Sequence, residues 1–211
     1  MRRVELHPAA FDDASIERMR AALARSPLVG PSVLKGGFEA TRGFAVVFRR
    51  EGVARLCKLV PAVAPFLEAA CELPTTNAFY LNLLVVPRGA SVAPHEDGTL
   101  TTFCGLARGA PVRVTVLYLD VPSTGGALRL HRRIAPDTVV TPVIGTVLHF
   151  RGDLTHSVDE VIDGERMSLV LEQYALDARA LAEVPECHVA SEGHFARVLA
   201  EARAMSSERD R

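Results

Sequence analysis

Apolar positions along residues 12 to 26, DDASIERMRAALARS, recur at helical spacing: Ile16, Met19 and Leu23 share one stripe. Asp12, Asp13 or Ser15 is placed to cap that helix, and Pro27, Gly30 and Pro31 end it. GFAVVFRR, residues 43 to 50, predicts a short strand. Residues 51 to 71 are helical in composition but carry Pro61 and Pro65, which predicts two short helices or one kinked helix. From residue 78 the texture changes. AFYLNLLVVP, VRVTVLYLD, ALRLHRR, DTVVTPVIGTVLHF and RMSLVLEQYAL are short apolar or alternating runs. Turn signals such as PRGA and VPSTGG separate them, and no helical pattern intervenes. Gly125 and Gly126 serve a turn here, because no helix follows them to bind phosphate. This is the signature of an antiparallel sandwich or barrel. The tail from 177 is helical in pattern and frays into charged residues. The expectation is a single domain of α+β class, mainly β: residues 1–75 as helical support, 76–176 as the β core, and 177–211 as a C-terminal helical tail.

Composition narrows the function. With 211 residues, 48% hydrophobic and 23% charged, the chain has the makeup of a soluble globular domain. A net charge of −1 offers no basic footprint for nucleic acid. No apolar run approaches the roughly 20 residues of a membrane span. MRRVELHPAAFDD has two arginines but no apolar segment behind them, so it does not read as a signal peptide. Cys57, Cys71, Cys104 and Cys187 show no metal-binding spacing and no disulfide framework, which fits idle thiols in a reducing cytoplasm.

Chemistry concentrates at PHEDG, residues 94 to 98. On an extended segment residues i and i+2 face the same way, so His95 and Asp97 can chelate one ion while Glu96 points away. His156, in RGDLTHSV, supplies a second imidazole. Two histidines and one carboxylate on one face leave the other octahedral positions open, the arrangement of non-heme Fe(II) oxygenases. Arg166, in DGERMSL, offers a planar, always charged fork for a carboxylate, and Ser168 lies on the same strand face. His149, next to Phe150, reads as a structural histidine, and His7, His131, His188 and His194 read as surface residues. Asp153 and Asp159 flank His156, either as partners behind it or as loop charge. Arg88, Arg108, Arg113 and Arg129 are open to an anionic substrate or to plain solvation.

The ordered set H-x-D, distant His, R-x-S resembles the Fe(II)- and 2-oxoglutarate-dependent dioxygenases, in particular their prolyl-hydroxylase-like branch. PRGASVAPHED, VTVLYLDVPSTGGALRL and IGTVLHFRGDLTHSVDEVIDGERMSLVL follow that family's segments in order, over about residues 79 to 175. The resemblance implies a double-stranded β-helix, a jelly roll of cupin type. It implies iron on His95, Asp97 and His156, and the far carboxylate of 2-oxoglutarate on Arg166. Tyr118 matches a family tyrosine that shares this carboxylate, and Ser168 is a third contact. The alternatives are that Tyr118 fills the barrel interior and that Ser168 makes a local hydrogen bond. The implied reaction consumes O2, releases succinate and CO2, and hydroxylates an unactivated C–H bond of a small molecule or of an amino-acid or peptidyl side chain. Ascorbate is the implied stimulant. No nucleic-acid or membrane partner is implied.

Two departures limit the carry-over. Collagen-type prolyl hydroxylases often have tyrosines where this chain has Val86 and Val92, so their phenol contacts are missing, and Tyr80 or Asn82 are the candidates to compensate. The carboxylate at Asp97 also argues against a halogenase, whose pattern has a small residue there. A cupin-like enzyme that does not use 2-oxoglutarate, and a non-catalytic binding module on the same fold, are the other readings. The N-terminal region and the segment 98 to 111 are expected to shape the entrance.

Overall fold

The computed structural model describes residues 4–34, 36–104 and 109–191. Along the chain the strands are β1 (Val4–His7), β2 (Gly30–Pro31), β3 (Arg42–Arg49), β4 (Ala78–Val86), β5 (Val92–His95), β6 (Arg113–Asp120) and β7 (Thr124–Gly125). They continue as β8 (Leu128–Leu130), β9 (Thr138–Val140), β10 (Val147–Phe150), β11 (His156–Val158), β12 (Val161–Asp163), β13 (Arg166–Tyr174) and β14 (Cys187–Ala190). The helices are α1 (Asp13–Ala24), α2 (Val53–Leu59), α3 (Ala64–Ala70), α4 (Thr99–Phe103) and α5 (Ala178–Ala182).

The strands form two facing antiparallel sheets. The larger runs β1-β10-β6-β13-β4-β3-β14, with β2 paired to β3, and the smaller runs β5-β11-β8-β9. A two-stranded ribbon joins β12 and β7. Every pairing is antiparallel, with neighbours far apart in sequence, as in a jelly roll.

Strand alternation sorts the side chains into layers. Phe79, Leu81, Leu83 and Val85 of β4, with Met167, Leu169 and Leu171 of β13, pack against Ile16, Met19 and Leu23 of α1 and against α2 and α3. Leu84 and Val86 face the other way, toward Val92, Leu128, Leu130 and Val158 of the small sheet. Each fully buried Leu or Phe on either side contributes roughly 1.5–3 kcal/mol. Both faces of β4 and β13 are therefore covered, and for that reason these strands read as apolar runs without a polar face.

Several expectations are met in detail. Asp12 caps α1, its carboxylate accepting from the Ser15 backbone amide at 2.8 Å. Pro61 starts a short 3-10 turn between α2 and α3, so the proline-broken segment is two short helices. Gly125 and Gly126 take φ of 85° and 68°, which only glycine adopts readily, although Gly125 lies in β7 and pairs with Val161 and so is not in a simple turn.

Other expectations need correction. A helix, α4, does intervene among the strands, within the segment that follows PHEDG. Residues 187–190 pair with β3 as an edge strand instead of continuing a helical tail, and Val4–His7 pairs with β10. The helix expected over residues 192–211, His194 and Arg108 lie outside the described residues. Among the described residues no helix is long and apolar enough to cross a membrane.

Candidate metal centre

β5 and β11 are paired strands of the small sheet, and their register sets His95 directly across from His156. The chain then leaves β5 and brings Asp97 back beside both rings. The Asp97 carboxylate oxygens lie 3.7 Å from His95 Nε2 and 3.6 Å from His156 Nε2. All three candidate ligand atoms fall within 4.8 Å of one another.

Each ring is oriented from behind. His95 Nδ1 lies 2.9 Å from the Ala93 carbonyl oxygen, and His156 Nδ1 lies 2.9 Å from that of Leu154. A carbonyl only accepts, so each ring carries its proton on Nδ1 and turns the Nε2 lone pair toward Asp97. Burial, ahead of all other causes, drives both imidazole pKa values down to about 4, so both rings are neutral near pH 7. The Asp97 contacts are thus not ion pairs, although their lengths fall within ion-pair range, and they are too long for hydrogen bonds. Asp97 is 9% exposed, its Oδ2 is buried with no hydrogen-bond partner, and burial raises its pKa. Two neutral lone pairs and the Asp97 carboxylate converge, and each imidazole nitrogen stands closer to a carboxylate oxygen than twice a metal–ligand bond of about 2.1 Å. This donor set fits a divalent transition metal.

The triad opens into a cavity of about 460 Å3 between the two sheets. Phe38 and Phe150 stand edge-on to His95 and His156, with ring centroids 5.0 Å apart in each pair. Leu34, Gly36 and Phe38 from the N-terminal region and Thr99 and Thr101 from α4 also line it.

Arg166 begins β13 and lies on the cavity wall at 1% exposure. Its Nε and Nη1 have no hydrogen-bond partner, and among the described residues no carboxylate stands within ion-pair distance. Arg50 shows the contrast: its guanidinium donates to the Cys71, Leu73 and Thr76 carbonyls. A buried guanidinium left without an anion is costly, and native folds keep one only where something else supplies the charge. Ser168 sits across from Tyr118 in the β13–β6 register, and the Arg166 guanidinium carbon lies 5.2 Å from the Tyr118 ring centroid. The Ser168 and Tyr118 hydroxyls are buried and unpartnered, but neither residue is on the cavity wall. The three residues named from the sequence do come together, with the phenol ring under the guanidinium.

The flanking residues resolve. Asp153 pairs with Arg151, and Asp159 with Arg129 at 2.9 Å, so both acids are loop charges and Arg129 is engaged. His131 is not a free surface residue: its Nδ1 lies 3.0 Å from Asp137 and its Nε2 2.9 Å from the Ser157 hydroxyl. Glu96 is exposed and accepts from the Thr155 hydroxyl. Val86 and Val92 are buried between the sheets. Tyr80 and Asn82 both line the cavity.

His149 is structural, as expected. Its Nδ1 lies 2.9 Å from the Thr115 hydroxyl across the β10–β6 pairing. Burial, ahead of the charge of Arg113, lowers its pKa from 6.5 to about 4. The unfolded chain therefore binds a proton below 6.5 that the folded chain refuses. The resulting stability is complete above pH 6.5 and is lost as pH falls toward 4. Thermal melts across this window are expected to show a shallower acid decline for His149→Gln than for the parent, and equal slopes would refute the assignment.

Glu172 was not singled out from the sequence. It is 2% exposed on β13 and lines the cavity. It accepts from the Thr99 hydroxyl at 2.7 Å, the Thr99 amide at 3.2 Å and the Tyr174 hydroxyl. The signal was parity: in RMSLVLEQY, residue 172 shares a strand face with 166 and 168.

No family model matches the sequence, and no curated protein matches it. Solved structures do match in fold. An oxidoreductase of the 2OG-Fe(II) oxygenase family from Burkholderia pseudomallei superposes with a TM-score of 0.59 at 20% identity, covering 82% of this chain and 86% of its own. A prolyl-4-hydroxylase from Pseudomonas putida gives 0.57 at 17% identity, covering 83% and 94%. A Trichoplax adhaerens prolyl hydroxylase, solved with a peptide fragment of the hypoxia inducible factor oxygen degradation domain, gives 0.58 at 13%, covering 85% and 86%. The chain has the fold of the 2OG-Fe(II) oxygenases and of their prolyl-hydroxylase members.

Proposed function

We propose that this protein is an Fe(II)- and 2-oxoglutarate-dependent oxygenase that hydroxylates an unactivated C–H bond of a small molecule or of an amino-acid or peptidyl side chain. The observation that carries this reading is the buried, unpartnered Arg166 on the wall of the cavity that holds the His95–Asp97–His156 triad. A metal face alone fits many cupin-like enzymes. A metal face with a sequestered cation fits a cosubstrate that chelates at one end and carries a carboxylate at the other.

His95, Asp97 and His156 would hold Fe(II), the two imidazoles as neutral Nε2 donors fixed by the Ala93 and Leu154 carbonyls. When bound, the iron with 2-oxoglutarate and O2 supplies the oxidising chemistry, with succinate and CO2 as the by-products. Arg166 grips the distal carboxylate of 2-oxoglutarate, and the hydroxyls of Tyr118 and Ser168 are the adjacent donors. Phe38, Val92, Val158 and Phe150 exclude water around the triad, which strengthens each polar contact within. Peptide recognition is a property of the Trichoplax neighbour, and here the substrate is left at the level of its reacting bond.

The test is direct. Anaerobic addition of Fe(II) and then 2-oxoglutarate is expected to produce a visible charge-transfer absorption. Aerobic turnover with ascorbate present is expected to yield succinate only when 2-oxoglutarate is added. Activity on any substrate without 2-oxoglutarate would sink this reading in favour of a cupin-like metalloenzyme.

A further inference from the structure

The cavity has two ends along β13. Arg166 and Glu172 share one strand face, about 20 Å apart along the backbone at roughly 3.3 Å per residue. His95, Asp97 and His156 line the same cavity as both residues. The Arg166 end is accounted for by the cosubstrate. Nothing in the proposed reaction so far uses the Glu172 end.

That end is built around a carboxyl group. Glu172 is 2% exposed and takes part in no ion pair among the described residues. Burial first, and then the like charge of Asp97, raise the pKa of Glu172 to about 8, so without a cation beside it the group keeps its proton near pH 7. Three hydrogen bonds, two from Thr99 and one from Tyr174, occupy three of its roughly four acceptor positions. Directly across the β13–β4 pairing stands Tyr80, 1% exposed, whose buried hydroxyl has no partner. Two residues along β4 on the same face is Asn82, also on the cavity wall. A carboxyl group, a phenol and a carboxamide thus border one patch that has no cation among the described residues.

We propose that Glu172, Tyr80 and Asn82 form the substrate anchor, and that the substrate carries a protonated amine. An ammonium group brings three N–H donors and the missing positive charge, which matches three acceptors around one buried acid. A neutral hydroxyl would satisfy Tyr80 but bring no charge that lets Glu172 ionise, and an anion would oppose that ionisation. With Arg166 holding the anionic cosubstrate and Glu172, six residues along β13, the cationic substrate, the two ligands are sorted by charge within one cavity. This assignment rests on the oxygenase reading above and extends it to substrate class.

The probes are the L-amino-acid amides with uncharged side chains, each set beside its N-acetyl form, which has the same side chain and no cation. Binding is read as the rise in melting temperature of the protein loaded with Mn(II) and 2-oxoglutarate under conditions without turnover. One or more free amines are expected to raise the melting temperature while their acetylated forms do not. Glu172→Gln is expected to weaken that binding by about tenfold or more, and Tyr80→Phe, which removes only the unpartnered hydroxyl, by about threefold. Both variants should keep the stabilisation by Mn(II) and 2-oxoglutarate themselves. If no amine binds, if acetylated forms bind equally well, or if Tyr80→Phe and Glu172→Gln both leave amine affinity unchanged, the anchor is wrong. If Mn(II) and 2-oxoglutarate do not stabilise the parent protein, it is the oxygenase reading that fails.

Discussion

Replacing Arg166 with methionine is expected to raise the KM for 2-oxoglutarate by at least about 30-fold while leaving Fe(II) affinity within about threefold. Truncating one member of a buried charged pair costs about 2–5 kcal/mol, and each 1.4 kcal/mol is a factor of ten. The same substitution has a second and opposite effect. In the ligand-free protein the Arg166 guanidinium is buried, with Nε and Nη1 unbonded and no carboxylate beside them among the described residues. A methionine fills similar volume without a charge to desolvate, so the ligand-free variant should melt higher than the parent. The gain in melting temperature that the parent shows on adding metal and 2-oxoglutarate should largely disappear. A variant that melts lower, and still responds to 2-oxoglutarate as the parent does, would mean that Arg166 is a structural residue satisfied in some other way.

The triad gives the other large effect. Asp97→Asn keeps the shape of the side chain and removes the anionic ligand. Metal affinity should fall by more than about 100-fold, beyond the loss that follows from disturbing only the groups behind a ligand. The parent gains about 2.7 kcal/mol of stability at a metal concentration of 100 times its Kd, and the variant should gain almost none. In metal-free protein the Asp97→Asn substitution should cost nothing, because burial already opposes ionisation of Asp97 and its Oδ2 has no hydrogen-bond partner to lose. His156→Ala serves as the companion variant and should also end succinate formation. Retention of metal binding within about tenfold in both variants would place the metal elsewhere. Melting curves with and without Mn(II), beside direct metal titration, measure all of this.

Much of the site was legible because it depends on local parity. His95 ends β5 and Asp97 follows two residues on, in the segment that leaves the strand, while Arg166 and Ser168 have the same spacing within β13. Glu172 obeys the same parity, but parity alone does not mark it. A single acid in an apolar strand gives no sign of what stands opposite, and Tyr80 becomes its neighbour only through the β13–β4 pairing. Asp153 and Asp159 illustrate the reverse: both lie near His156 in sequence, yet arginines on the adjoining loop and strand take them away from it.

The fold divides in a similar way. The helical stripe of α1, the proline break between α2 and α3, and the long apolar runs of β4 and β13 are properties of neighbouring residues and could be read directly. The edge strands could not. Val4–His7 and Cys187–Ala190 are four residues each, too short to carry a periodic signal. They are strands because β10 and β3 offer rows of unpaired backbone groups that they can satisfy. The sequence alone settled which side chains share a strand face and which residue types are fit to hold a metal and a carboxylate, since both follow from side-chain chemistry and a two-residue repeat. Tertiary structure settled which faces meet: His95 opposite His156, Tyr118 beneath Arg166, and Tyr80 opposite Glu172. Those pairings depend on the order of strands in the sheets, which is a property of the whole chain's packing and is not encoded within any one segment.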